Sequence, residues 1–392
     1  MKMQIKDNLN VIGLMSGTSC DGLDIALIEI HGSGNETKFK FIAGKSVAYT
    51  SSQKNAIKKA LSSVTINLKY VSQLNFYLPK IWSEMIDNFL KEIKCDKSQI
   101  DLIGSHGQTI WHQPEKEEFA SKSISSTLQL GESSVLAQLT GIPVVGDFRI
   151  ADVALGGQGA PLIPYFDWVL FNKFKKNILS VNIGGISNFT FIPKDGDIKK
   201  VAAFDCGPGN MLIDGTMQQL FNKQFDKNGI IASKGNLSEK LFNFLKNNDK
   251  FAESKPPKST GREHYNKSFL SDIFKFSADN KINKNDIIHT ISNYTAYTIY
   301  KNYELFIALQ STADEVVIAG GGASNNFLMQ KLEEYFLSIN VTPITKHGID
   351  IDLKEAIGFA VLANETIKGK PSNIPQATGA QKPVILGKIC IV

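Results

Sequence analysis

A chain of 392 residues is longer than one hydrophobic core usually serves, and 42% apolar residues suffice for two, so two domains are expected. Its 43 Lys and Arg against 38 Asp and Glu leave a net charge of +5 spread without a block or stripe, which argues against the focused basic face that nucleic acid requires. Cys20, Cys95, Cys206 and Cys390 stand far apart with no CxxC pair, so neither a disulfide framework nor a zinc site is indicated, and the short apolar run Val11–Met15 after a polar start is too brief for a signal segment or a membrane span. A cytoplasmic protein is expected, with no membrane partner.

In chain order, Val11–Met15 reads as a strand and Asp24–His31 as its hairpin partner, joined by a Ser/Gly/Thr turn. Residues 70–93 carry Val71, Leu74, Leu78, Ile81, Trp82, Met85, Ile86, Phe89 and Leu90 at near-helical spacing around Pro79, the pattern of a core helix. Ile100–Gly104 is a short buried strand delivering Ser105–Thr109 at its carboxyl end, where α/β sheets gather ligands. Leu179–Ile183, a Gly184–Gly185 turn and Phe189–Ile192 repeat the first hairpin in outline, which hints at two halves of one ancestral design. Residues 253–266 form an irregular charged insertion. Glu315–Ala319 is another buried strand, followed by Gly320–Gly322 and a helical stretch to Leu337. Strands alternating with helical patterns throughout indicate α/β architecture.

Several turns are built for anions. Backbone amides and hydroxyls of Ser16, Gly17, Thr18 and Ser19 suit a polyphosphate, and Asp21 and Asp24 beyond them become favourable there once a divalent cation intervenes; an ordinary hairpin is the plainer reading. This is not a Walker A loop, because no Lys occupies the required place. Asp205, Gly207, Gly209 and Asn210 repeat the logic ahead of a helix over 211–221, whose N-terminus adds its dipole. Gly320, Gly321 and Gly322, with Asn325 after them, let a flat ring or phosphate approach the backbone. Asp147, Arg149 and Asp152 precede a glycine turn containing Gly159, and this is the best place for a general base, Asp152 first and Asp147 second. His106, Gln108 and His112, on a polar and aromatic loop with Trp111, suit a sugar ring; Glu355 opens the helix 354–367.

The segments Gly-Leu-Met-Ser-Gly-Thr-Ser-Cys-Asp-Gly (13–22), His-Gly-Gln-Thr-Ile-Trp-His (106–112), Gly-Asp-Phe-Arg (146–149), Gly-Gly-Gln-Gly-Ala-Pro-Leu (156–162) and Asp-Cys-Gly-Pro-Gly-Asn (205–210), in this order, resemble the anhydro-N-acetylmuramic acid kinase family. Lys258–Glu263, the glycines at 320–322 and Glu355–Ala356 extend the resemblance through nearly the whole chain. Cys206 stands where many relatives carry Thr, and Gln113 where Glu is common; neither is an essential acid. The resemblance implies two actin-like, ribonuclease H-like domains with a hinge and an active-site cleft between them, drawn at 1–158 with a return at 370–392, and at 159–369. It implies a reaction of ATP and water that opens the anhydro ring of 1,6-anhydro-N-acetylmuramic acid and phosphorylates it to N-acetylmuramate 6-phosphate in cell-wall recycling, by a homodimer. Phosphates of ATP would lie on Ser16, Gly17, Thr18, Ser19, Cys20, Asp21, Gly22, Leu23 and Asp24, on Gly184 and Gly185, and on the turn 205–210, with Gly320–Gly322 and Asn325 near the adenosine. His106, Gln108, His112, Arg149 and Gly159 would meet the sugar, Asp152 would deprotonate the water that Glu355 helps orient, and Mg2+ would sit near Asp21 or Asp205. Another sugar or acyl kinase or a phosphatase of the same fold, and a non-catalytic ATP-dependent sugar sensor, are the rival readings. A dinucleotide-binding oxidoreductase fails because no GxGxxG opens the first helix.

Overall fold

A computed structural model describes residues 6–17, 19–62, 65–261 and 264–392. Thr18, expected among the phosphate ligands, and Arg262 and Glu263 of the family-like segment lie outside the described residues. The chain forms two compact units, one running to Leu170 and resuming at Asp352–Val392, the other Phe171–Ile351. The expected division at 158 and 369 therefore moves in both places. The helix Lys354–Ile367 belongs to the first unit, because its backbone lies directly on that unit's sheet.

That sheet holds β1 (Asn8–Ser16), β2 (Gly22–His31), β3 (Lys38–Ala48), β4 (Leu102–Phe119), β5 (Lys122–Leu130), β6 (Val144–Gly146) and β12 (Lys388–Cys390). Its order is β12-β6-β4-β1-β2-β3, with β5 paired to β4. β1 is antiparallel to β2 and parallel to β4, and β2 is antiparallel to β3. The second unit holds β7 (Ile178–Ile183), β8 (Ile186–Ile192), β9 (Ala202–Pro208), β10 (Glu315–Ala319) and β11 (Asn340–Pro343), in the order β11-β10-β7-β8-β9. β7 is antiparallel to β8 and parallel to β10, and β8 is antiparallel to β9. Each unit is thus an antiparallel three-strand meander whose first strand continues the sheet in parallel, the ribonuclease H-like order that actin-like proteins repeat. The turn after β1 and the turn after β7 occupy equivalent places, which gives the sequence echo between 11–31 and 179–192 its structural meaning.

One face of the first sheet packs Ile12, Leu14, Ile25, Leu27 and Ile103 against Leu78, Trp82, Ile86 and Phe89 of the helix Leu68–Glu92. Pro79 sits inside that helix and cannot donate to the carbonyl of Asn75. The loss is repaired from outside: Glu132 N–H donates to the Asn75 carbonyl at 3.1 Å, and Gly131 N–H to its side-chain oxygen at 2.8 Å. On the other face, a Cβ at Gly13 would stand 1.8 Å from the Ala356 carbonyl oxygen, and one at Gly104 2.3 Å from that of Phe359. Gly13 and Gly104 are register partners on β1 and β4, so they form a bare floor on which the helix Lys354–Ile367 lies. In the second unit, Leu179, Val181, Val316 and Ile318 meet Ala296, Ile299, Leu328 and Leu332 from helices Lys284–Tyr303 and Asn326–Phe336.

The expected loop after Gly104 is instead the body of β4, paired with β5 from Gln108 to Phe119. A polar face wetted on one side satisfies a strand as well as a loop, and the sequence pattern did not separate them.

Candidate active site

In the first unit the end of β1 is held from below by a buried chain of hydrogen bonds. Trp82 Nε1–H donates to Tyr49 Oη at 2.8 Å, and Ser16 Oγ–H donates to Gln108 Oε1 at 2.7 Å. The Ser16 hydroxyl has one hydrogen, so across the 2.8 Å contact between them Tyr49 is the donor to Ser16. Gln108 Nε2–H closes the chain on the Gly17 carbonyl at 3.3 Å. Burial pushes the Tyr49 phenol up to about 12, so it remains a donor. Gln108, expected to meet a sugar, is wholly buried and spends its amide positioning the glycine turn. At that turn Cys20 N–H donates to the Gly17 carbonyl at 3.1 Å, and a Cβ at Gly17 would meet Ser19 Oγ at 3.7 Å. Asp21 is exposed and 3.4 Å from Lys54, while Asp24 accepts from Ser46.

A few residues along β4, His106 and Arg149 form a pair. A guanidinium has donors only, so His106 Nε2 accepts from Arg149 Nε at 3.2 Å and Nη2 at 3.0 Å, and the proton is on Nδ1, donating to the Gly107 carbonyl at 2.8 Å. Burial, reinforced by the Arg149 charge, drops the His106 imidazole to about 3. Arg149 Nη1–H also donates to the Gly159 carbonyl at 2.9 Å; burial lowers the guanidinium to about 10 and the Glu355 charge opposes the drop. His106 and Phe148 both lie against Phe359 on the helix Lys354–Ile367, with centroids 4.7 and 5.4 Å away. His112 lies further out on β4, beside Thr127 of β5, yet within the field of the pair: burial and then the Arg149 charge lower its imidazole to about 4.

The three acids proposed for proton transfer have different surroundings. Asp152 has no exposed surface and accepts from Gly159 N–H at 2.8 Å and from Asn373 Nδ2 and Thr378 Oγ1, each at 2.7 Å. A Cβ at Gly157 would stand 2.2 Å from its Oδ2. Held in this way, Asp152 clasps the C-terminal return to the glycine turn that holds Arg149. Asp147 is taken up by an ion pair with Lys388 at 2.7 Å. Glu355 is different. Among the described residues no donor hydrogen-bonds its carboxylate, and burial lifts its carboxyl above the usual range, against the pull of Lys354 and Arg149. Asn373 and Thr378 were missed by sequence reasoning, since nothing local ties them to residues 152–159.

The second unit gathers three glycine turns at the carboxyl ends of β7, β9 and β10. Gly209 N–H donates to the Gly185 carbonyl at 2.9 Å and Asn210 N–H to that of Gly184 at 2.8 Å. A Cβ at Gly209 would stand 2.3 Å from the Gly184 oxygen, so the two turns meet backbone to backbone. Gly320, at φ +74°, lies over Asn182 and Ile183, and Asn210 Nδ2 donates to the Ile183 carbonyl at 3.1 Å. Gly207 is pressed against Thr298, and Gly322 against Ile183. The half-buried Asp205, midway along β9, accepts from Thr260 N–H at 2.8 Å and Ser259 Oγ at 3.2 Å. The irregular insertion is therefore a strap across the turn. It is anchored by Lys258, whose ammonium donates to the Ala252 carbonyl at 3.0 Å among the rings of Phe204, Phe251 and Phe306, and which burial lowers to about 8.

Two ribonuclease H-like units, each with a glycine turn where its first strand meets its hairpin partner, suit the class of ATP-dependent sugar kinases. A family model described as anhydro-N-acetylmuramic acid kinase matches residues 9–391, and the chain belongs to that family. An anhydro-N-acetylmuramic acid kinase of Caldanaerobacter subterraneus subsp. tengcongensis is 41% identical over 394 residues, covering 100% of this chain and 99% of the relative. One from Bacillus cereus is 42% identical over 381 residues, covering 97% and 98%. Among solved structures, the activator of the 2-hydroxyisocaproyl-CoA dehydratase from Clostridium difficile with bound ADPNP is similar at a TM-score of 0.45 and 11% identity, over 92% of this chain and 96% of that one. Among the described residues no helix is long and apolar enough to cross a membrane, and none of the four cysteines is in a disulfide.

Proposed function

We propose that the protein uses ATP and water to convert 1,6-anhydro-N-acetylmuramic acid into N-acetylmuramate 6-phosphate and ADP, in the cytoplasmic recycling of cell-wall sugar. Water oxygen bonds to the anomeric carbon, the bond from that carbon to the bridging oxygen breaks, and the freed oxygen takes the γ-phosphoryl group while ADP leaves. The water proton passes to a carboxylate. Family membership over the full chain supports the overall reaction. The observation that carries the site reading is the Glu355 carboxyl, which has no hydrogen-bond donor among the described residues and stands within the field of Arg149. A raised carboxyl pKa suits proton abstraction near neutral pH. We assign Glu355 the part of base, Arg149 and His106 the part of positioning the sugar, and Asp152 the part of holding Arg149's support in place.

The turns at 16–24 and 184–185 would meet phosphate oxygens through their amides, the turn 205–210 would brace the second of them through its Gly209 and Asn210 amides, and the nucleotide would rest on Gly320–Gly322. Asp21 or Asp205 would supply hard oxygen donors, which suits Mg2+, since that ion is usually held by one or two carboxylates together with substrate phosphates. When bound, it would neutralise charge on the transferring phosphoryl group.

Pure protein incubated with ATP, magnesium and the anhydro sugar should yield a 6-phosphorylated reducing sugar; ATP bound without product would reject the reaction. Glu355→Gln should lose about 100-fold or more in kcat with sugar affinity retained, the scale of general-base catalysis. Asp152→Asn should instead lower the melting temperature, because an amide nitrogen would face donors that now meet an oxygen. Full turnover in Glu355→Gln would pass the role of base to Asp152.

A further inference from the structure

Beside the glycine turns of the second unit lies a cavity of about 390 Å³ that the reaction chemistry has not used. Its size is within the range of small-molecule sites, roughly 300–1,000 Å³. Its walls are the start of the helix Asn210–Phe221, the residues after Gly320, and the segment 225–228, and they include Asn210, Asp214, Phe225, Asn228, Gly321 and Asn325. Asn210 and Gly321 belong both to the turns and to the cavity, so a phosphate chain seated on the turns has its remaining part directed into this space. That step rests on the ATP reading above.

The walls have chemistry of their own. Asp214 stands one helical turn beyond Asn210, and among the described residues no donor hydrogen-bonds its carboxylate; burial alone pushes the carboxyl up to about 7. A carboxyl withdrawn from water without a donor is unfavourable, and a ligand that brings one removes the deficit. Phe225 is 56% exposed at the same cavity, a flat apolar surface left in solvent. The segment carrying it is not loose. Gly229, at φ +71°, lies where a Cβ would be 2.3 Å from Asn325 Oδ1 and 2.5 Å from Phe327 Cβ, and Asp226 accepts from Ile231 and Ala232 N–H at 2.9 and 2.8 Å. An aromatic face and an unpartnered acceptor, both rigidly mounted, match a nucleoside: a flat ring to stack, and N–H or O–H donors on the base or the ribose.

We propose that Asp214 is the nucleoside-selecting residue of the second unit, accepting a hydrogen bond from the base amine or the ribose diol while Phe225 flanks the ring. Steady-state KM and kcat for ATP, 2′-deoxy-ATP and ITP, measured on the intact wild type, Asp214→Ala and Asp214→Asn, test this. The wild type should discriminate about tenfold against the analogue lacking the donor that Asp214 uses, the worth of about one hydrogen bond. 2′-deoxy-ATP reports the ribose and ITP the base amine. In Asp214→Ala the KM for ATP should rise about tenfold and that discrimination should vanish, with kcat and the KM for the sugar unchanged. If Asp214→Ala does not fold, Asp214→Asn, of the same shape, should move the same ratio in the same direction. Ratios identical in wild type and variants overturn the proposal, whereas a wild type that binds no ATP overturns the nucleotide reading itself.

Discussion

His106 illustrates how a residue's role follows from its partner rather than its type. Facing a guanidinium that can only donate, it is fixed as a neutral acceptor, and burial carries its pKa from 6.5 down to about 3. The consequence for stability has a definite sign. Above about pH 6.5 neither folded nor unfolded imidazole binds a proton, and the group contributes no pH dependence. Between 6.5 and about 3 the unfolded chain binds a proton that the folded one refuses, so stability falls with pH, at a limiting slope of about 1.4 kcal/mol per pH unit. His106→Gln removes that titration. Denaturant midpoints at pH 7.5, 6 and 4.5 should show the wild type's advantage over His106→Gln shrinking as the pH falls; a constant gap would mean that His106 is protonated in the fold. Gln108 and Asp152 stood out as candidates from their neighbours in sequence, but the partners that hold them did not. Whether a carboxylate meets water or is clasped by Asn373 and Thr378 depends on residues more than two hundred positions away, and no local pattern encodes that.

At the scale of elements, most of the strands and the long amphipathic helix could be read from periodicity, because a buried stripe leaves a repeat in the sequence. The continuation of β4 into an arm and the tolerance of Pro79 could not, since each depends on a partner supplied by another element: β5 in one case, the amide of Glu132 in the other. The same holds for Gly13. In sequence it is the first residue of a glycine-rich turn motif; in the fold it lies on β1, three residues before the strand ends, and its lack of a side chain lets the helix Lys354–Ile367 touch the sheet. That contact is what carries Glu355 toward His106 and Arg149. Gly13→Val should therefore cost about 3 kcal/mol, at the upper end for overpacking, and should shift the helix enough to depress kcat beyond what the stability loss explains. Chemical denaturation together with turnover measured well below the melting temperature checks both. A variant as stable and active as wild type would show that the bare floor under the helix is dispensable.

For the whole molecule, the sequence carried the two-fold architecture in its paired glycine hairpins and α/β alternation, but it placed the helix Lys354–Ile367 in the wrong unit, because apolar small residues such as Ala356 and Ala360 suit either sheet. The distinction lies in the complementary glycines of β1 and β4. The observed division has a consequence for autonomy. Phe171–Ile351 is one unbroken stretch with its own sheet and its own buried clusters, while the other unit is assembled from two stretches. A contiguous unit with a complete core should fold by itself. Expressed alone, residues 171–351 should melt cooperatively and be stabilised by ATP, by about 2.7 kcal/mol when the nucleotide is at a hundred times its dissociation constant. The anhydro sugar should leave its melting temperature unmoved, since His106, Arg149 and Glu355 are all in the other unit. Thermal scans with each ligand separately distinguish the outcomes. Cooperative melting without an ATP shift would place the main nucleotide affinity outside the turns at 184–185, 205–210 and 320–322, whereas non-cooperative melting would show that this unit's core is incomplete without the rest of the chain.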